Sequence, residues 1–169
     1  MPWLIILLVL GMAVSSVVGV FEGVVAILPI VICFQSLVLD MAGNVGTQSL
    51  AVTIRVLMDE ELGAKEKIKL VFKETKVGIA NGLLLGILAV VFLGGYIHLF
   101  KGYDVAVSLL LAMTISSLVE TLVPMFFKKI KIDPAVASGP LITTVNDLVA
   151  VVIYYGLSWV LLINIAHIA

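Results

Sequence analysis

Five stretches of this 169-residue chain are apolar for long enough to cross a lipid bilayer. A hydrocarbon core of about 30 Å takes about 20 helical residues at about 1.5 Å each, and runs of that order lie at roughly 3–21, 23–55, 77–100, 105–127 and 135–165. The chain is 62% hydrophobic and 12% charged, against about 45–50% and about 25% in soluble domains. A fold this small has no interior for that excess, which would face water unless lipid covered it. The expectation is an all-α integral membrane protein forming one domain over residues 1–169. Only helices and closed barrels satisfy their backbone groups in lipid, and the alternation of barrel strands is absent.

Loop charge orients the five spans. Arg55, Lys65, Lys67, Lys69, Lys73 and Lys76 follow the second and Lys128, Lys129 and Lys131 the fourth, whereas Lys101 alone follows the third. The positive-inside rule then puts the N-terminus in the cytoplasm and the C-terminus outside. The first stretch lacks a basic n-region, so it reads as a retained span rather than a cleaved signal. Asp59 to Lys76 mixes both signs and reads as a solvated connector, with a short amphipathic surface helix as the alternative. A net charge of −1 leaves no basic face for nucleic acid. Cys33, the single cysteine, has no disulfide partner and is expected to be a buried, inert thiol.

Polar residues inside the spans are costly enough to be functional candidates. In the fifth, Gly139, Thr143 and Asp147 recur every four residues and share a helix face, with Pro140 and Thr144 beside them. Asp147 has no Lys, Arg or His within a turn, so it should meet water or a cation, with a protonated carboxyl hydrogen-bonded to a neighbouring helix as the alternative. In the second, Asp40-Met41-Ala42-Gly43-Asn44-Val45-Gly46-Thr47-Gln48-Ser49 predicts either close helix packing or a loosened helix whose carbonyls line a cavity. Glu120, with Ser116, Ser117 and Thr121, makes a possible secondary acidic site in the fourth span; Glu22 and Asn81 are scattered. His98 and His167 are too isolated for a transition-metal site. No nucleophile and base set, paired metal-binding His motif or phosphate-cradling glycine loop is present, so no enzyme is expected.

These two polar segments resemble the membrane domain of the MgtE family of Mg²⁺ channels. The matching residues are Pro29, Asp40 to Gln48 and Arg55, then Asp133-Pro134-Ala135, Ser138-Gly139-Pro140, Thr143-Thr144 and Asp147. The resemblance implies a homodimer in the cell membrane whose pore follows the two-fold axis, lined by the second and fifth helices of both subunits. It implies Asp147 as the selectivity carboxylate, with Asn44, Thr143 and Gly139 along the ion path. Gly43, Thr47, Gln48, Thr144 and Asn146 are further expected to line it. Mg²⁺ keeps its waters and is usually held by one or two carboxylates; Mn²⁺ and other hard cations suit the same donors. Full-length members carry a cytosolic N-terminal domain and a CBS pair that sense Mg²⁺; this sequence contains neither, so the domain is expected to conduct without that feedback. Two alternatives stay open: a proton- or ion-coupled secondary transporter, and an assembly subunit whose glycine-rich faces are packing seams.

Overall fold

The computed structural model describes residues 2–27, 29–59, 63–94, 99–133 and 140–161. Their regular structure is entirely helical: α1 (Pro2–Val20), α2 (Glu22–Ile27), α3 (Ile30–Asp59), α4 (Ala64–Gly94), α5 (Leu99–Lys129) and α6 (Pro140–Ser158). A π-helical turn at 159–161 extends α6.

Among the described residues, three segments are long and apolar enough to cross a membrane: Ala64–Phe92, Tyr103–Lys129 and Leu141–Leu161. Leu4–Val20 in α1 is apolar but shorter. α3 has the length, at 30 residues, but Gln35, Asp40, Asn44, Thr47 and Gln48 interrupt its apolar run.

Several local expectations change. The stretch at 23–55 is two helices, because α2 ends at Ile27 and α3 begins at Ile30, and Pro29 between them has no N–H to continue the ladder. The solvated connector is largely absent: Lys65 to Lys76 form the first turns of α4, a continuous helix of 31 residues. Its Lys, Glu and Leu residues are good helix formers, and Leu70 and Glu74 are buried, with the Glu74 carbonyl accepting from Ser117 Oγ at 3.1 Å. The basic residues of this region, like Arg55, Lys128 and Lys129, therefore stand on helices. Residues 40–49 are helical throughout, which removes the loosened-helix reading. Cys33 is exposed rather than buried.

A glycine ladder brings α4 against α5. Gly78, Gly82 and Gly86 recur every four residues, and each faces the α5 backbone. An added Cβ would lie 2.9 Å from the Met113 carbonyl oxygen at Gly78, 2.7 Å from Leu110 Cα at Gly82 and 3.0 Å from the Ala106 carbonyl oxygen at Gly86. The descending partners make the two helices antiparallel. Lipid tails are as apolar as leucine, so such close approach, with interhelical hydrogen bonds, carries much of the association.

α3 runs parallel to α5: Ser116 Oγ donates to the Ala42 carbonyl at 2.7 Å, and near the far end Lys128 Nζ donates to the Leu57 carbonyl. α6 is antiparallel to both, since Tyr154 near its end donates to the Val31 carbonyl at 2.6 Å and Ser158 Oγ lies 2.9 Å from Asp104 Oδ2. α1 packs on α6, where Phe21 just beyond its end stacks on Tyr155 with centroids 5.5 Å apart. The core between α3, α5 and α6 holds Val38, Ala42, Leu109, Met113, Val151 and Tyr154.

Candidate functional site

The packing of α3 decides which of its residues face outward. Val38, Ala42, Val45, Ser49, Leu50 and Thr53 are buried, and Gly46 sits so close to α5 that a Cβ there would lie 2.6 Å from Glu120 Oε1. The opposite face is exposed and polar, carrying Asp40, Asn44, Thr47, Gln48 and Arg55. Thr47 Oγ1 donates to the Gly43 carbonyl, so its hydroxyl is satisfied within the helix. Gly43 itself is half-buried, with nothing within 4 Å of an added Cβ.

On α6, Ile142, Asn146, Ala150 and Val151 are buried, which turns the other side outward. Thr143 is exposed, and Thr144 and Asp147 are half-buried. Asp147 lies within electrostatic reach of Asp40 on α3 and of Glu120 on α5. Carboxylates on three helices thus act on one another electrostatically, and they differ in burial: Asp40 is exposed, Asp147 half-buried and Glu120 buried. They do not form a ligating cage, for among the described residues no three His, Cys, Asp or Glu side chains could together hold a metal ion.

The tertiary structure therefore sorts the expected residues into groups. Asn44, Thr47, Gln48 and Thr143 are exposed, with Gly43, Thr144 and Asp147 partly so. Asn146 is turned inward at 0% exposure, and both atoms of its amide lack a hydrogen-bond partner among the described residues. It is therefore not on the exposed side of α6 with Thr143. Glu120 stands behind Gly46, on the buried side of α3. Gly139 lies outside the described residues.

Asp104 is a carboxylate that sequence reasoning passed over. It is 3% exposed, its Oδ2 meets Ser158, and its Oδ1 has no partner among the described residues. Ser108, one turn further along α5, is buried and also lacks a partner there. The four-residue spacing of Asp104 and Ser108 was the available signal, hidden by reading the span as starting at 105. Ser49 and Thr53, likewise four apart, present hydroxyls on the buried face of α3 that have no hydrogen-bond partner among the described residues.

The family model MgtE, described as a divalent cation transporter, matches residues 35–157. That match takes in both the α3 face and Thr143 to Asp147. The chain belongs to the MgtE family. It is similar to proteins named magnesium transporter MgtE from Bacillus subtilis, 39% identical over 162 residues, and Enterococcus faecalis, 38% identical over 159 residues. Each alignment covers 94% of this chain but 35% of the relative. A third, from Thermus thermophilus, is 33% identical over 95% of the chain and 36% of the relative. The chain thus spans about a third of the length of the curated relatives it matches. Membership of a transporter family and three span-length apolar helices together make this MgtE-family chain a membrane protein.

Proposed function

We propose that this domain conducts Mg²⁺ down its electrochemical gradient, through a pore on the two-fold axis of a homodimer lined by α3 and α6 of both copies, with Asp147 as the selectivity carboxylate. One observation carries the reading: the polar face of α3, with Asp40, Asn44, Thr47 and Gln48, is exposed rather than folded into the protomer, and its Asp40 lies within electrostatic reach of Asp147. A carboxylate at the centre of a span costs about 2.5–3.5 kcal/mol on insertion scales. Such a face therefore belongs against water, and a second copy would enclose that water.

Two Asp147 side chains across a two-fold axis would supply two charges without a cage. This suits an ion that dehydrates reluctantly and is bound through retained water. Asn44, Thr143 and Gly139 would contact the hydration shell, with Gly43, Thr47, Gln48 and Thr144 along the same path. The magnesium transporter names of the relatives support Mg²⁺ as cargo. The buried Glu120 would act as a secondary acidic site, setting the field at Asp147 from behind α3. α3, α4, α5 and α6 alternate in direction and, with α1, would make five crossings of the cell membrane, with the N-terminus cytoplasmic.

Liposomes loaded with a Mg²⁺-sensitive dye test the proposal, with a Mg²⁺ gradient at controlled voltage and Mn²⁺ or Ca²⁺ as competitors. Flux should follow the electrochemical gradient with no proton gradient, and Asp147→Asn and Asp147→Ala should lose flux or selectivity. Flux that requires a proton or Na⁺ gradient would instead mark a coupled transporter. Variants indistinguishable from the parent would remove Asp147 from the path.

A further inference from the structure

At the bundle end where α4 begins and α5 finishes, a groove of about 540 Å³ is lined by Lys67, Leu122, Met125, Phe126, Lys128 and Lys129. Three ammonium groups and three apolar side chains share one concave surface, and among the described residues no acidic one lines it. Lys67 and Lys129 are exposed, and Lys128 donates to the Leu57 carbonyl at the end of α3. The floor continues into exposed apolar surface: Leu122 is 44% and Phe126 58% exposed. Both lie within Tyr103–Lys129, a segment long and apolar enough to span a membrane and ending at the lysine pair.

The position of the charges determines what this groove can take. Lys128 and Lys129 close the apolar segment, which puts them at headgroup level, while Phe126 lies just under one turn and Leu122 about two turns before Lys129, about 4 Å and about 10 Å toward the hydrocarbon. Lys67 reaches the same level from α4, which the glycine ladder holds antiparallel to α5. Basic pockets between transmembrane helices at the membrane surface bind anionic lipid headgroups. A ligand for this site needs a phosphate at one end and an acyl chain at the other.

We infer that the groove between the start of α4 and the end of α5 is a binding site for an anionic membrane phospholipid, its phosphate held by Lys67, Lys128 and Lys129 and one acyl chain laid along Leu122 and Phe126. Charge complementarity and the continuity of the floor with the bilayer face select this occupant over a second copy of the chain, which would have to bury three lysines against its own basic end. The inference stands apart from the ion-path proposal, since it uses none of the α3 or α6 surface residues invoked there.

Native mass spectrometry on protein released from nanodiscs of equal phosphatidylcholine and phosphatidylglycerol reads the site directly. The parent should retain phosphatidylglycerol preferentially. The double variant Lys67→Gln/Lys129→Gln should weaken that retention by about 25-fold, at about fivefold per lysine. Lys73→Gln/Lys76→Gln removes the same charge from α4 outside the groove and should leave retention near the parent's. Phe126→Ala should shorten retention while keeping the headgroup preference. Equal retention of both lipids by the parent, or equal loss in the two double variants, overturns the site. Displacement of the lipid by inorganic phosphate at matching concentration would assign the lysines to a free anion. Disulfide capture of a second copy by Lys129→Cys in a Cys33→Ser background would assign the groove to a protein interface.

Discussion

Replacing Gly82 with alanine should separate α4 from α5 and destabilise the bundle by about 1–2 kcal/mol. The new Cβ would stand 2.7 Å from Leu110 Cα and 3.0 Å from the Leu110 carbonyl oxygen, whereas carbon atoms rest about 3.5–4.0 Å apart. Both obstacles are backbone, so no rotamer change relieves the contact and the helices must part by about 1 Å. Overpacking costs about 1–3 kcal/mol, and with an unyielding neighbour the upper half of that range applies. The helix propensity of alanine over glycine offsets about 1 kcal/mol, which leaves the stated loss. Gly11→Ala is the matched control, because nothing lies within 4 Å of its added Cβ and propensity alone should leave it level with the parent or slightly more stable. Unfolding in mixed micelles with rising sodium dodecyl sulfate, followed by circular dichroism, gives both values. Equal stability of Gly82→Ala and Gly11→Ala would refute the close approach.

Further outcomes follow from the other contacts. Gly46→Ala meets Glu120 Oε1 and Ser116 Oγ, side-chain ends that can move, so it should cost only about 1 kcal/mol in the same unfolding assay while changing Mg²⁺ flux through the displaced Glu120; parental flux would separate Glu120 from the path. Tyr154→Phe removes the donor to the Val31 carbonyl and should lower stability by about 0.5–1.5 kcal/mol without altering helix content. Asp104→Asn keeps an oxygen for Ser158 and removes a carboxylate whose Oδ1 has no partner among the described residues, so it should be at least as stable as the parent, whereas Asp104→Leu loses the bond and should be less stable. If Asp104→Asn proves the worse of the two, the carboxylate is held by a charge that the Ser158 contact does not supply.

The helical class, the apolar runs and the two polar segments were all legible in the sequence, because backbone satisfaction in lipid leaves few options and a carboxylate in such a run stands out. The family was legible from Asp40 to Gln48 and from Thr143 to Asp147, and the comparisons bear that resemblance out. The start of α4 was misread because mixed charge marks a surface without saying whether that surface is coil or helix; burial of Leu70 and Glu74, with the Glu74 carbonyl bonded to Ser117 on α5, favours helix. Gly78, Gly82 and Gly86 showed their four-residue period in plain text, but the period alone does not name the helix they face.

Facing was what the tertiary structure decided. In helices apolar nearly all round, the sequence period is a weak guide to the buried side, and contacts made by residues far apart in the chain choose it. Gly46 against Ser116 and Glu120 turns Asn44 and Gln48 outward, while burial of Ile142, Ala150 and Val151 carries Asn146 inward and leaves Thr143 exposed. The same contacts put Glu120 behind α3, within reach of Asp147. Residue types thus set which groups could serve an ion path, and helix packing set which of them face outward.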